Sequence, residues 1–218
     1  SFTMASTPFL NDLANTVAEH HDQVKSLKTF LCAGAPIPGP LVQKARETLG
    51  VKVISAWGMT ECGAITTTLI SDEDERSYNT DGVALPGVEI KITNKQGQQK
   101  AVNEAGRLMI RSCSSFGGYL KRSHLNDTDQ DEWFDTGDIA YQDEQGYIRI
   151  CGRKKDVIIR GGENIPVAEI ESLLYKHPNI AVIAIVAYPD ERLGERACAI
   201  VKLKDPTQQL QFADMVEF

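Results

Sequence analysis

Short apolar runs alternate with helical stretches in the first third of the chain, and this alternation restricts the possible folds more than any other feature. Apolar runs at residues 29–33 and 51–54 flank a helix-like stretch at 41–49. Strand, helix and strand at this spacing predict a parallel α/β layer. A helix is also predicted from Thr7. Its apolar stripe is formed by Phe9, Leu10, Leu13 and Val17, and its polar end by His20, His21 and Asp22.

After Thr68 the pattern changes to short strands and turns. Apolar residues alternate at Val88, Ile90 and Ile92, a turn is predicted at 94–97, and further short strands are predicted at 106–111 and 146–150. This middle third is therefore predicted to form an antiparallel, barrel-like unit.

A third pattern follows Arg153. The sequence predicts a strand at 157–159, a helix at 167–177 that ends before Pro178, and strands at 180–186 and 198–203. Residues 210–218 again have helical spacing. Together these elements predict a small α+β domain that is incomplete in this chain.

The composition argues against several classes of protein. The 218 residues carry a net charge of −7, with no run of five like charges, which argues against a nucleic-acid partner. The five cysteines contain no C-x-x-C pair, so a zinc site or a compact disulfide framework is not expected. Reduced cysteines predict a cytoplasmic location, with peripheral membrane attachment left open. No apolar run approaches the ~20 residues of a transmembrane helix, and no secretory signal is predicted.

The segment Trp57-Gly58-Met59-Thr60-Glu61 follows an apolar strand, at the place where α/β sheets commonly bind ligands. An aromatic face can stack on a base, and glycine allows close approach of the backbone. The Thr60 hydroxyl can donate to a phosphate oxygen, and the Glu61 carboxylate can bind a divalent cation. The alternative is a loop with a core tryptophan.

Residues 134–140, with the sequence FDTGDIA, combine a strand with Asp138, which lies two residues after Thr136 across a predicted glycine turn. An ionised carboxylate can accept paired hydrogen bonds from the two hydroxyls of a ribose. A turn or capping role is the alternative.

Three consecutive cations followed by an acid occur at residues 153–156, between two differently patterned regions. This stretch can serve as a linker that changes its backbone dihedrals and carries Arg153 to a phosphate or ribose. The pair Gly161-Gly162 allows a narrow ligand to pass close to the backbone. A solvated turn and a simple strand-to-helix loop are the alternatives.

Five motifs in series resemble the adenylate-forming superfamily, which includes acyl-CoA synthetases, luciferases and peptide-synthetase adenylation domains. They are Ala33-Gly34-Ala35-Pro36, WGMTE, LPG at residues 85–87, WFDTGD, and GRKKDVIIRGGENIPVAEIE. The resemblance spans nearly the whole chain. It implies that residues 1–78 end the α/β part of a large adenylation domain, 79–152 form its β-rich subdomain, 153–156 a hinge, and 157–218 a small C-terminal domain.

The resemblance also implies a two-step reaction. ATP and a carboxylic acid give an acyl-adenylate and pyrophosphate, the small domain rotates, and coenzyme A then attacks to release AMP and the thioester. The protein supplies mainly positioning and charge stabilisation, and it shields the mixed anhydride from water.

Site residues are implied position by position. Gly34, Ala35 and Pro36 match the adenine-side loop, Trp57 and Gly58 the stacking segment, although tyrosine is commoner than tryptophan there. Thr60 and Glu61 match the phosphate and Mg²⁺ positions, and Asp138 matches the ribose carboxylate. The remaining matches are Ile150 as the adenine wall, Arg153 as the ribose and phosphate contact, Lys155 as the hinge residue and Gly162 beside the pantetheine passage.

Two motifs of the superfamily do not occur in the chain. They are the Ser/Thr/Gly-rich phosphate loop that ends in Pro-Lys-Gly and the late Gly-Lys that supplies the adenylation lysine. The 218 residues alone are therefore expected to be unable to complete adenylation.

The leading hypothesis is a fatty-acid or related acyl-CoA ligase, because DERLGERACAIVKL and RGGENIPVAEIE resemble that branch. An adenylation domain that loads a carrier protein is the nearest alternative. A non-catalytic nucleotide-binding remnant is a third, although such a remnant would not need Glu61, Asp138 and Arg153.

Overall fold

The computed structural model describes the backbone of residues 1–218 and the side chains of all residues except 18–22 and 164. The chain forms two compact units, Ser1–Ile150 and Cys151–Phe218. The first unit ends just before the predicted hinge at 153–156. The mixed α/β class predicted from the sequence is confirmed.

A five-stranded sheet occupies the beginning of the first unit, with the strand order β1-β2-β3-β4-β5. Its first three strands pair in parallel, and the last two continue the sheet antiparallel. The strands are β1 (Phe2–Ala5), β2 (Thr29–Cys32), β3 (Lys52–Met59), β4 (Gly63–Thr67) and β5 (Val83–Ala84). The strand–helix–strand order predicted from the apolar runs is therefore present.

Two helices pack against one another and against this sheet: α1 (Thr7–Val24) and α2 (Gly39–Leu49). Pro40 lies in the first turn of α2, where the missing N–H costs nothing, and Gly50 ends the helix in the left-handed conformation. Helix α1 continues beyond the predicted polar end at His20, His21 and Asp22, whose side chains lie outside the described residues. The helices and strands enclose a core of Leu10, Ala14, Val17, Phe30, Cys32, Val42, Ala45, Leu49, Val51 and Val53.

A four-stranded sheet follows in the order β6-β7-β8-β9, after a short helix α3 (Asp74–Asn79). The pairs β6–β7 and β7–β8 are antiparallel. The strands are β6 (Val88–Thr93), β7 (Gly106–Ser112), β8 (Phe134–Gln142) and β9 (Ile148–Arg153). Because β6 and β9 are the edges of this sheet, the barrel-like closure stays a prediction.

The core of this region also includes the hairpin formed by β3 and β4. Cys62 and Ile65 of that hairpin are buried against the inner face of the second sheet, in a cluster with Ile92, Leu108, Ile110, Phe134, Ala140 and Ile148. The end of β3 is therefore fixed by two sheets at once.

The second unit contains a four-stranded antiparallel sheet in the order β11-β10-β13-β12. Its elements are β10 (Ile158–Arg160), β11 (Glu163–Ile165), α4 (Val167–Leu174), β12 (Ile180–Asp190), β13 (Gly194–Leu203) and α5 (Phe212–Glu217). Helix α4 ends at Leu174, before the predicted end at residue 177, and turns continue to Pro178. Pro178 has no N–H to donate to the carbonyl oxygen of Leu174 and disfavours helical geometry at His177, so the helix does not continue to the proline.

Within the described part of the chain, no helix combines the length and the apolar character needed to cross a bilayer.

Candidate functional site

The site begins at the end of strand β3, where Trp57 and Gly58 lie. Trp57 and Gly58 were predicted to lie just past the strand, which is wrong, because β3 continues to Met59 and pairs there with β4. A β-bulge occurs between Trp57 and Gly58. A Cβ atom on Gly58 would lie 2.1 Å from the carbonyl oxygen of Gly63. Glycine is therefore required at this position by the hairpin itself, whatever ligand binds there.

The indole of Trp57 is held by Asp138. Its Nε1 donates a hydrogen bond to Asp138 Oδ2 over 3.1 Å, between residues 81 positions apart. The ring also packs against the apolar core that β6–β9 form with the hairpin. The predicted stacking residue and the predicted ribose carboxylate are thus brought together.

A second bulge places Asp138 in this position. In the pairing of β7 with β8, Arg107 lies opposite Ile139 and Met109 opposite Asp135, so β8 carries two extra residues. The sequence analysis predicted a glycine turn here, which is wrong, because β8 runs through Gly137, whose φ is +73°. Bulges of this kind commonly redirect a side chain next to a functional site.

The bulge is stabilised by Thr136. Its Oγ1 donates to the carbonyl oxygen of Leu108 over 2.9 Å and accepts the backbone N–H of Asp138 over 3.1 Å. The Asp138 side chain is buried, with Asp138 only 3% exposed. A buried carboxylate with a fixed donor is oriented before any ligand arrives.

The turn after β3 carries Thr60 and Glu61. Thr60 is exposed, while Glu61 is partly buried and accepts a hydrogen bond from the hydroxyl of Tyr119 over 2.6 Å. The Glu61 carboxylate raises the pKa of Tyr119, so the phenol stays protonated and donates. Sequence reasoning did not find Tyr119, since no local pattern links residues 58 positions apart.

Cys62, next to Glu61, is not a candidate nucleophile. Burial, together with the charges of Glu61 and Asp138, raises the pKa of the Cys62 thiol to about 11. The thiolate that nucleophilic attack requires is therefore scarce at neutral pH.

Gly34, Ala35 and Pro36 form an exposed bend after β2. Strands β2 and β3 are parallel neighbours, with Cys32 opposite Ser55, so this bend leaves the sheet at the same edge as Trp57. Gly34 has a φ of +87°. In α/β sheets, ligands bind at this carboxyl edge.

Ile150 ends the first unit and packs against the same core as Trp57. Its backbone N–H donates to Asp81 Oδ2 over 2.8 Å. Burial raises the pKa of Asp81, and the Arg149 guanidinium, 3.6 Å from the other carboxylate oxygen, opposes the rise. Asp81 was also not found from the sequence, because its partners lie far along the chain.

Arg153, Lys155 and Gly162 belong to the second unit. Arg153 and Lys155 are exposed at the end of β9 and in the turn that follows, where the N–H of Asp156 donates to the carbonyl oxygen of Arg153. Gly162 lies in the turn between β10 and β11 with a φ of +93°. The structure gathers Trp57, Glu61, Asp138 and Ile150 in the first unit and places these three in the second.

The donor set at Glu61 is chemically suited to Mg²⁺. Among the described residues, Oε2 of Glu61 accepts no hydrogen bond, and no group of three or more His, Cys, Asp or Glu side chains forms a metal cage. Magnesium commonly binds one or two carboxylates together with substrate phosphates and water.

Comparison with known families agrees with this geometry. Residues 1–120 match the model of the AMP-binding enzyme, and residues 169–217 match that of the AMP-binding enzyme C-terminal domain. The chain belongs to the AMP-binding enzyme family. Three of the five motifs on which the resemblance was based lie within the first match, WFDTGD lies between the two matches, and the last motif overlaps the second match only at its end.

Two curated members of the AMP-binding enzyme family show how far the likeness extends. The medium-chain fatty-acid–CoA ligase of Escherichia coli (strain K12) is 38% identical over 217 residues, which cover 99% of this chain and 38% of the relative. Enterobactin synthase component E of the same organism is 34% identical over 196 residues, covering 88% and 36%. The chain thus spans less than two fifths of the length of these relatives.

A solved structure gives the same picture of the AMP-binding enzyme fold. ATP-bound MatB from Rhodopseudomonas palustris superimposes with a TM-score of 0.91 at 26% identity, over 100% of this chain and 43% of MatB. The fold of this part of the family is therefore established for the chain.

Proposed function

We propose that the protein containing this chain is an AMP-forming acid–CoA ligase that acts on a fatty acid. ATP and the acid would give an acyl-adenylate and pyrophosphate, and coenzyme A would then displace AMP to form the thioester. The 38% identity to a medium-chain fatty-acid–CoA ligase, over almost the whole chain, supports this choice of substrate class.

The observation that carries the proposal is the hydrogen bond between Trp57 Nε1 and Asp138 Oδ2. It fixes an aromatic ring and a carboxylate side by side at one edge of a sheet. The ring can stack on adenine, and an ionised carboxylate, which can accept several hydrogen bonds, suits the two ribose hydroxyls.

The other residues of the first unit complete a nucleotide half-site in this proposal. The exposed bend at Gly34, Ala35 and Pro36 would border the adenine, and Ile150 would form an apolar wall. Thr60 would donate to a phosphate oxygen, and Glu61 would hold Mg²⁺. A bound Mg²⁺ ion would neutralise phosphate charge as pyrophosphate leaves.

Residues of the second unit would serve the change between the two half-reactions. Arg153 would contact the ribose and phosphate, Lys155 would lie in a hinge at 153–156, and Gly162 would border the pantetheine arm of coenzyme A. The division of the chain just before this segment supports a hinge there. The assignment of 1–78 and 79–152 to a large adenylation domain and of 157–218 to a small C-terminal domain is part of the same proposal.

The acyl acceptor is the least constrained part. Enterobactin synthase component E is not named as a CoA ligase, so family membership alone does not select coenzyme A. Loading of a carrier protein is therefore the second candidate.

The test uses the natural protein that carries this chain. Carboxylic acids from two to eighteen carbons are supplied with ATP and Mg²⁺, and AMP is measured with and without coenzyme A. We expect CoA-dependent AMP formation with medium or long chains, and its loss in Asp138→Ala. Pyrophosphate release without a CoA requirement would favour carrier loading, and AMP binding without any turnover would favour a non-catalytic module.

A further inference from the structure

We infer that Tyr119 is a positioning residue for Glu61, which it holds by one carboxylate oxygen so that the other is presented to the cation. The inference rests on the proposed role of Glu61 as a magnesium ligand. It adds a residue from a different loop to the site.

The first support is the hydrogen bond itself. The Tyr119 hydroxyl lies 2.6 Å from Glu61 Oε1, a length typical of a bond between a hydroxyl and an ionised carboxylate. Among the described residues this is the hydrogen bond that Glu61 accepts on its side chain, and Oε2 is left for another ligand. A carboxylate held in this way binds a cation in one orientation, whereas a free glutamate must lose rotational freedom first.

The second support is that Tyr119 is itself fixed. Its backbone N–H donates to Asn126 Oδ1 over 2.9 Å, and its ring meets Phe116 edge to face at 4.9 Å. Phe116 in turn meets Phe134 of β8 edge to face at 5.7 Å. The phenol is thus connected to the buried core, although the residue is partly exposed.

The third support is that the same segment also holds the backbone of the turn. The N–H of Phe116 donates to the carbonyl oxygen of Glu61 over 2.7 Å, and Ser114 Oγ donates to the carbonyl oxygen of Cys62 over 2.6 Å. These two bonds act on the backbone of the turn and not on the Glu61 side chain. The bond from the Tyr119 hydroxyl therefore adds control of the Glu61 side chain in particular.

Gly118 explains how the segment reaches Glu61. Its φ is +115°, and a Cβ atom there would lie 2.5 Å from Nδ2 of Asn126, whose Oδ1 accepts the N–H of Tyr119. Only glycine adopts this conformation readily, so Gly118 sets the backbone path from which Tyr119 reaches Glu61.

The experiment replaces Tyr119 by phenylalanine in the natural protein, which removes the hydroxyl and keeps the ring. Affinity for Mn²⁺, a paramagnetic substitute for Mg²⁺, is measured by electron paramagnetic resonance in the presence of the non-hydrolysable α,β-methylene-ATP. We expect about tenfold weaker Mn²⁺ binding, the range seen when a residue supporting a metal ligand is lost. Affinity for AMP in EDTA and the melting temperature should not change.

Tyr147→Phe is the matched control. Tyr147 also donates its hydroxyl to a carboxylate of the first unit, Asp72 Oδ1, over 2.9 Å. It should leave Mn²⁺ affinity at the wild-type value, because Asp72 has no proposed metal role.

Further outcomes separate the inference from the function on which it rests. Glu61→Gln should weaken Mn²⁺ binding at least as much as Tyr119→Phe. If Glu61→Gln does so and Tyr119→Phe does not, the positioning role is wrong and the metal role stands. If neither variant changes Mn²⁺ affinity, the metal role of Glu61 is wrong as well. If Tyr119→Phe lowers the melting temperature and AMP affinity together, Tyr119 is only a structural brace and the inference fails.

Discussion

The proposed site residues of the first unit differ from those of the second in how firmly the protein holds them. Asp138 is buried and accepts the indole N–H of Trp57, and both lie at register shifts, in the pairing of β3 with β4 and of β7 with β8. Lys155 and Gly162 lie in exposed turns. One region is therefore organised before ligand binding, whereas the other consists of turns in which backbone rearrangement costs little.

The comparison predicts that substitutions in the first region change stability strongly and those in the second change it little. Substitutions in the first region should weaken nucleotide binding and adenylate formation, whereas those in the second should slow thioester formation. Seven substitutions, grouped in four tests, address this, beginning with the test expected to show the largest effect.

Gly58→Ala should destabilise the first unit by about 3 kcal/mol or more, because the new Cβ would overlap the carbonyl oxygen of Gly63, a backbone atom that cannot move aside. Gly162→Ala is its counterpart in the second unit. Among the residues whose side chains are described, no atom lies within 4 Å of the new Cβ there, so the expected cost is backbone strain of about 1 kcal/mol. Urea unfolding followed separately for each unit measures both. A smaller cost for Gly58→Ala than for Gly162→Ala would break the comparison.

Asp138→Ala should cost about 2 kcal/mol of stability, since it leaves the Trp57 N–H without this acceptor and removes buried volume. It should also weaken AMP binding by about two orders of magnitude, because two ribose hydrogen bonds to a charged group are lost. Asp138→Asn keeps an oxygen acceptor and should cost less stability. Thermal unfolding and calorimetric titration with AMP measure the two effects, and an unchanged AMP affinity in both variants would remove Asp138 from the site.

The pH dependence of the stability lost in Asp74→Asn tests the ion pairs that Asp74 forms with Lys52 of β3 and with Arg46. Lys52 and Arg46 lower the pKa of Asp74, which they contact at 2.9 and 2.8 Å. A lowered pKa contributes stability above the unfolded value of about 4, and this contribution is lost as pH falls through the folded value. Because the Asp74 side chain is 34% exposed, solvent screening limits it to about 0.5–1 kcal/mol.

The stability difference between wild type and Asp74→Asn should therefore be present at pH 5–8 and decrease as pH falls below about 4. Asp190→Asn is the control, since the pKa of Asp190 is lowered by backbone hydrogen bonds from Leu193 and Arg192 in the second unit. The loss of stability in Asp190→Asn should appear in the unfolding of the second unit only. A stability difference for Asp74→Asn that increases as pH falls would contradict the lowered pKa of Asp74.

Lys155→Ala should have the smallest effect on stability, within about 0.5 kcal/mol, because the side chain is exposed in a turn. Acyl-adenylate formation should keep its rate, while thioester formation should slow. Single-turnover measurement of the two half-reactions in the natural protein tests this. An equal loss in both steps would assign Lys155 to substrate binding instead of the hinge.

The sequence predicted the mixed α/β class and most of the elements, because apolar periodicity and glycine or proline at element ends are local signals. Strand β3 was predicted too short, because its end depends on pairing with another strand and not on a local signal. Its end at Trp57 and Gly58 is extended by pairing with β4, which the apolar run at 51–54 does not reveal. Pairing between elements determined this boundary.

The site shows the same limit. Residue type alone led to Trp57, Glu61 and Asp138, whose roles stay a prediction, and the alternative of a core tryptophan is partly right, since Trp57 packs against the core while it holds Asp138. Tyr119 and Asp81 were missed because each acts on a partner 58 or 69 positions away. Such contacts depend on tertiary packing, which no local pattern encodes.

The bulge in β8 has a consequence for the lengths that this strand can tolerate. It contains two extra residues, an even number, so Phe134, Thr136, Asp138 and Ala140 all remain buried on one side. An insertion or deletion of one residue would turn every later side chain of the strand to the opposite face. A change of two would preserve the faces and alter only the size of the bulge. Evolutionary changes in length between Phe134 and Ala140 should therefore occur in pairs.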